Sequence, residues 1–168
     1  MKLPAQRSQL GFTLVEIVTV LALLGILSAV AFSRLGNVDS YTQSIYTQQF
    51  LSYLRLTQRT AVAHQGSGAS LSITRTTSDT WDLTLQFDGQ TVNYNLEGNL
   101  GLQFASAGNS GSISTGDTLS LVYSDLGDLE QITSPLVFSP TASLALTIAG
   151  SQQACVSLTG FAYEGPCL

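Results

Sequence analysis

A long apolar run opens the chain and is followed by a polar segment with regularly spaced apolar residues. Residues 12–33 are almost wholly apolar, and a helix of about 20 such residues spans the hydrocarbon of a bilayer. Residues 34–66 carry apolar side chains every three or four positions, which predicts an amphipathic helix. The stretch QGSG at 65–68 predicts its end. We therefore expect one helix of about 50 residues, half apolar and half amphipathic.

Residues 67–168 alternate apolar and polar side chains in short runs, which predicts a β-rich domain of about seven or eight strands. Asp88-Gly89 predicts a tight hairpin turn, because both positions favour positive φ. Residues 108–116 are predicted to be a flexible loop between two strands. The expected fold class is α+β, with the long N-terminal helix packed on an antiparallel β-sandwich.

No catalytic pattern accompanies this layout, so we expect a protein that is not an enzyme. The single histidine, His64, falls at the predicted helix end, where it favours the helix dipole. A nucleophile elbow, a Walker motif and a dinucleotide-binding glycine pattern are all missing from the sequence. The remaining conspicuous side chains are aromatic and are predicted to lie in the core or on sheet faces: Trp81, Tyr123, Phe138, Phe161 and Tyr163.

Charge is sparse and uneven along the chain. The last of the six basic residues is Arg75, and nine of the eleven acidic residues follow it. Nucleic-acid binders need a basic surface that neutralises phosphates. This distribution argues against DNA or RNA as a partner.

The two cysteines, Cys155 and Cys167, lie close to the C-terminus with eleven residues between them. That spacing fits neither a redox CxxC pair nor a paired zinc site. Because the apolar N-terminal run directs export, a disulfide in an oxidising compartment is the favoured interpretation. Two reduced, buried thiols are the alternative.

Glu16 is the one charged residue between Arg7 and Arg34. A charge at the centre of a membrane helix costs on the order of 2.5–3.5 kcal/mol, so a simple anchor would not carry it. Together with Gly11 and Phe12 it forms the stretch GFTLVE, which follows a short basic leader, residues 1–11. This N-terminus resembles that of type IV prepilins.

The resemblance implies cleavage between Gly11 and Phe12 by a prepilin peptidase, and N-methylation of the new terminus at Phe12. It also implies that Glu16 of one subunit pairs with the Phe12 amine of a neighbouring subunit during assembly. The implied domains are a leader at 1–11, an assembly half of the helix at 12–33, an amphipathic half at 34–66 and a β-rich domain at 67–168.

The implied partners are other pilin or pseudopilin subunits, the prepilin peptidase, an inner-membrane assembly platform and membrane lipid. Before assembly the chain is expected to cross the inner membrane once, with its β-rich domain in the periplasm, and afterwards to lie in a pilus or pseudopilus. The long β region and the ending CVSLTGFAYEGPC resemble minor pilins, H-type pseudopilins of type II secretion and minor pilins of mannose-sensitive haemagglutinin pili.

Three alternatives remain open from the sequence. An ordinary signal peptide with an A-x-A site would be cleaved after Ala31 and would release a secreted binding or adhesin domain. A plain signal anchor would carry GFTLVE by chance. A pilus-tip protein for DNA uptake would share the prepilin N-terminus but would need basic residues that the C-terminal part lacks.

No cofactor is expected, with calcium as the one alternative. Asp125, Asp128 and Glu130 lie close together in SDLGDLE, with Asp117 nearby, and carboxylate oxygens suit calcium. The spacing is not that of an EF-hand. A solvated acidic turn is the favoured interpretation.

Overall fold

A computed structural model of the protein describes residues 13–34, 38–134 and 136–168. The chain divides into two compact units, Met1–Val38 and Asp39–Leu168. The predicted continuity of one helix through residues 35–37 lies outside the described residues.

The first unit contains helix α1, Leu14–Arg34. Within it, Leu14–Phe32 is long and apolar enough to cross a membrane, with a mean hydropathy of 2.5. None of this window is buried among the residues that the structure describes. An apolar helix without a buried face needs an apolar environment or partner from outside the chain.

The second unit contains all but the first residue of helix α2, Val38–Ala63. This helix buries apolar side chains on one face and leaves others, among them Tyr41 and Ile45, exposed. The buried positions include Phe50, Leu54 and Ala61, spaced by four and seven residues. This is the amphipathic pattern that the sequence predicts. The helix ends before Gly66 and Gly68, which both have positive φ.

Eleven strands follow α2 in the described residues and form two antiparallel sheets. The six-stranded sheet has the order β3-β2-β1-β6-β7-β8, and the five-stranded sheet has the order β11-β10-β9-β4-β5. The strands are β1 (Ala69–Arg75), β2 (Thr80–Phe87), β3 (Gln90–Glu97), β4 (Gln103–Ser106), β5 (Asn109–Ser112), β6 (Thr118–Tyr123), β7 (Leu129–Ser134), β8 (Leu136–Phe138), β9 (Leu144–Ile148), β10 (Gln152–Val156) and β11 (Ala162–Glu164). The predicted α+β class is confirmed.

Buried side chains from both sheets and from α2 form one hydrophobic core. Trp81 and Tyr123 are buried in it, as predicted, and Phe138 packs against its margin. The prediction was wrong for Phe161, which is 55% exposed. This residue precedes β11 in the segment after β10, so no strand directs its side chain inward.

The predicted Asp88-Gly89 hairpin is confirmed. Phe87 pairs with Gln90, and the two turn residues have φ of 46° and 70°. These positive values match the twist of the flanking strands β2 and β3.

The prediction of a flexible loop over 108–116 was wrong in its first half. Asn109–Ser112 is strand β5, which pairs with β4 through a tight turn in which Ala107 and Gly108 have φ of 50° and 84°. A Cβ on Gly111 would lie 2.9 Å from the Phe104 ring, so the glycine lets the ring cover the strand. Such cover compensates for the missing side chain in a polar, short strand.

Candidate functional site: the first turn of α1

Thr13 caps the N-terminus of α1. Its Oγ1 accepts a hydrogen bond from the Glu16 backbone N–H at 3.2 Å, and its carbonyl oxygen accepts one from Ile17 N–H at 3.3 Å. A threonine hydroxyl in this position satisfies one of the free N–H groups of the first turn. The helix therefore begins at Leu14, and Glu16 is its third residue.

Sequence reasoning missed the role of Thr13, although the signal for it is present. Threonine followed three positions later by glutamate, before an apolar run, is the pattern of a capping box. The structure shows the half of this box in which the Thr13 hydroxyl holds the Glu16 amide. Thr13 thus fixes the backbone of the residue on which the assembly hypothesis depends.

The Glu16 side chain is exposed and lies at the positive end of the helix dipole. Within the residues that the structure describes, its carboxylate has neither a hydrogen bond nor an ion pair. The surrounding side chains of α1 are apolar, and Leu14 and Val15 are 81% and 69% exposed. The arrangement presents one acid on an otherwise apolar surface, which calls for a cationic partner where water is absent.

Gly11 and Phe12, the predicted cleavage and methylation positions, lie outside the described residues. The same holds for the whole predicted leader, residues 1–11. Their assignment stays a prediction from the sequence.

The predicted disulfide between Cys155 and Cys167 is confirmed, with their Cα atoms 5.2 Å apart. The segment between the cysteines is also held against α2. Arg55 Nε donates to the Ala162 carbonyl at 2.8 Å, and Gln58 Nε2 donates to the Thr159 carbonyl at 2.7 Å. The helix and the disulfide together fix this C-terminal segment.

The acidic stretch after β6 folds as a turn. Ser124 Oγ accepts hydrogen bonds from the N–H groups of Leu126 and Asp128 at 3.2 and 3.1 Å. In the described part of the chain, no group of three or more His, Cys, Asp or Glu side chains is placed to hold a metal ion. The structure thus does not gather Asp125, Asp128 and Glu130 into a ligand set, and calcium binding stays an untested prediction.

His64 has packing contacts at the end of α2. Its ring lies 4.7 Å from that of Phe87, and its Nδ1 is 3.0 Å from the Thr60 carbonyl oxygen. Tyr53 packs on Tyr94 in the same way, with 4.8 Å between ring centroids. These aromatic pairs join α2 to strands β2 and β3.

Comparison with known families identifies the same N-terminal segment. Residues 6–32 match the family model described as the prokaryotic N-terminal methylation motif. The match includes the predicted cleavage position, Thr13, Glu16 and nearly all of α1. Neither the curated proteins nor the solved structures yielded a match.

Proposed function

We propose that this type IV prepilin-like protein is a minor pilin or pseudopilin, a structural subunit of a type IV pilus or of a type II secretion pseudopilus. The observation that carries the proposal is the methylation motif over residues 6–32, coinciding with an apolar helix that bears a single acid. The motif marks structural pilin subunits, which assemble with other pilin subunits after processing by a prepilin peptidase.

In this proposal the peptidase hydrolyses the Gly11–Phe12 bond with water. It then transfers a methyl group from a methyl donor to the new amine of Phe12, which gives up a proton. The product is a positive charge that lies four residues before Glu16, about one helical turn away. Before assembly that amine can approach the Glu16 carboxylate of its own chain.

During assembly Glu16 pairs with the Phe12 amine of a neighbouring subunit. The exposed Glu16 carboxylate, which has no partner among the described residues, supports this role, because a buried charge is stabilised by an opposite charge beside it. The Thr13 cap holds the Glu16 backbone in the first turn, which limits where a partner amine can bind. Pairing of unlike surfaces in successive subunits produces an open helical array.

The proposed location before assembly is the inner membrane, with α1 spanning it and the unit Asp39–Leu168 in the periplasm. The length and hydropathy of Leu14–Phe32 support the membrane part. The disulfide supports an oxidising compartment for the C-terminal unit. An inner-membrane assembly platform and membrane lipid are the further proposed partners.

The choice of a minor pilin or pseudopilin rests on the large β-rich part, with its sheets of six and five strands. The chain has no basic residue after Arg75, which argues against a tip protein for DNA uptake. A secreted adhesin released by an ordinary signal peptidase would not need the methylation motif at residues 6–32.

Intact mass and N-terminal sequencing of the protein isolated from cell envelopes test the proposal. We expect a chain that begins at Phe12 and carries one additional methyl group. As a matched control, Gly11→Val should stay unprocessed, because the larger side chain obstructs the peptidase. A wild-type chain that begins at Met1 or at Phe32 contradicts the proposal.

A further inference from the structure

Three parts of the C-terminal unit meet at one end of it: the turn 124–128, the segment 157–161 and the C-terminal half of α2. The Leu129 N–H donates to the Leu158 carbonyl at 2.9 Å. A side chain on Gly160 would overlap the Gly127 carbonyl oxygen, and one on Gly127 would lie 2.7 Å from Val62 Cγ2. The turn and the segment 157–161 are therefore in backbone contact, whereas α2 meets the turn through the Val62 side chain. Both glycines have positive φ.

This end of the unit carries four exposed apolar side chains, which we name the tip patch: Val62, Leu126, Leu158 and Phe161. Leu126 occupies the centre of a turn and is apolar, and its side chain is 77% exposed. Turns at a surface usually carry polar residues, and grouped apolar side chains at a surface mark an interaction site. The tip patch is thus a candidate for contact with another protein.

The edge of the tip patch is acidic. Asp125 and Asp128 flank Leu126 and are exposed. Because no basic residue follows Arg75, nothing in the later part of the chain offsets them. An anionic lipid surface would be repelled, and the fitting partner combines apolar side chains with a cation.

The same chain presents such a surface on the outer side of α2. Leu56 is 38% exposed, and Arg59 follows it by one turn on the same side. Ile45 and Tyr41, about three and four turns before Leu56, are exposed as well. We name these four residues the α2 stripe.

Of the three arginines in the unit Asp39–Leu168, Arg59 is the available cation. Arg55 donates to the Ala162 carbonyl, and Arg75 donates to the carbonyls of Thr77, Ser78 and Ile113. Within the described ranges Arg59 makes no hydrogen bond or ion pair.

We infer that the tip patch of one copy binds the α2 stripe of a second copy, with Asp125 and Asp128 facing Arg59. In this head-to-tail arrangement each copy leaves its own α2 stripe free for the next copy, so the contact is heterologous and adds copies in a row. Such a contact lets the subunit sit beside a copy of itself in a filament. It depends on the C-terminal unit alone and does not require the processing or the Glu16 pairing proposed above.

Cysteine cross-linking of the full chain in membranes tests this contact. The described residues contain no free cysteine, so Leu126→Cys and Leu56→Cys introduce single reactive thiols. Under mild oxidation, differently tagged Leu126→Cys and Leu56→Cys chains should form a dimer that carries both tags. The double variant should form a ladder of multimers.

Val137→Cys is the matched control, because Val137 is 59% exposed and apolar but lies in β8, outside the tip patch. Mixed with Leu56→Cys, it should give at least about tenfold less cross-linked product. Equal yields in the two mixtures, or a Leu126→Cys chain that links chiefly to itself, would overturn the inference.

Charge reversal tests the polar part of the contact. Arg59→Glu in the Leu56→Cys chain should lower the yield about tenfold, and Asp125→Arg with Asp128→Arg in the Leu126→Cys chain should restore it. An unchanged yield after the Arg59→Glu substitution counts against the inference. The N-terminal mass of the same samples reports processing separately, so a missing cross-link in correctly processed chains refutes this contact and leaves the proposed function intact.

Discussion

Helices α1 and α2 have similar lengths, 21 and 26 residues, but satisfy their apolar side chains in different ways. Helix α2 buries one face in the core of its own unit. Over Leu14–Phe32, helix α1 has no face buried among the described residues. The comparison shows that one face of α2 is packed when the chain folds, whereas α1 depends on lipid or on other subunits for its apolar side chains.

Polar groups follow the same division. On α2 the hydroxyls of Thr47, Thr57 and Thr60 donate hydrogen bonds to backbone carbonyls one turn earlier, so their acceptors lie within the same helix. On α1 the Glu16 carboxylate has no partner among the described residues. Folding alone therefore provides acceptors for these hydroxyls of α2, whereas the Glu16 carboxylate of α1 still lacks a partner that assembly can supply.

The largest expected effect comes from Glu16→Val, which removes the carboxylate that would pair with a neighbouring subunit. The neighbouring amine would lose its partner, at a cost of about 3–5 kcal/mol, which corresponds to more than a hundredfold in equilibrium. Processing and membrane retention should persist while incorporation into sheared filaments falls. Thr19→Val is the matched control, since the Thr19 hydroxyl donates within the helix to the Glu16 carbonyl. Normal incorporation of Glu16→Val would end the pairing hypothesis.

Leu→Ala substitutions on α1 and α2 should differ in their effect on the free energy of unfolding of the C-terminal unit. Leu54 on α2 is 0% exposed and Leu24 on α1 is 53% exposed. Leu54→Ala should lower the free energy of unfolding of the C-terminal unit by about 2–5 kcal/mol, because it opens a cavity. Leu24→Ala should leave that free energy unchanged. Chemical denaturation of the full chain in detergent measures both, and equal losses would contradict the division between the helices.

Loss of the α1 cap should have a smaller effect. Thr13→Ala removes the acceptor for the Glu16 N–H and should destabilise the first turn by about 0.5–2 kcal/mol. Hydrogen exchange at the Glu16 amide should speed up, whereas amides in the middle of α1 should not change. Thr13→Ser keeps the hydroxyl and should retain slow exchange. Fast exchange in Thr13→Ser as well would argue against the cap.

The smallest effect at neutral pH is expected at Tyr123, whose hydroxyl is buried without a partner among the described groups. Tyr123→Phe should change stability by less than about 1 kcal/mol, because no hydrogen bond is lost. Burial raises the pKa of the Tyr123 phenol above its ordinary value.

This shift predicts a difference between the two proteins in alkali. The unfolded phenol ionises near pH 10 while the buried one keeps its proton, so wild-type stability should fall as the pH rises above about 10. In Tyr123→Phe this contribution to the decline is absent. Denaturation curves from pH 8 to 11 measure it, and parallel declines would contradict the burial argument.

The sequence predicted best where the controlling interaction is local. The apolar run, the amphipathic period of α2 and the Asp88-Gly89 turn each depend on residues within a few positions of one another. The Thr13 cap is also a local interaction, since Thr13 and Glu16 are three residues apart, but it was not predicted from the sequence. The processing site stays a sequence prediction, since residues 11 and 12 lie outside the described ranges.

Short strands and sheet order could not be predicted for a physical reason. Strand β5 is polar and four residues long, and it pairs because Gly111 admits the ring of Phe104. Strands β8 and β11 have three residues each, too few for an alternating pattern. The pairing of β1 with β6 joins segments more than forty residues apart, which no local pattern encodes.

The segment between the two cysteines is held by its backbone. The Leu158, Thr159 and Ala162 carbonyl oxygens accept the bonds that fix it to β7 and α2. Every residue type has a backbone carbonyl oxygen, so most side chains of this segment are not needed to hold it in place. Descendants of this protein can therefore exchange the outward-facing residues of the segment, and with them the surface shown to neighbours, while the scaffold underneath stays as it is.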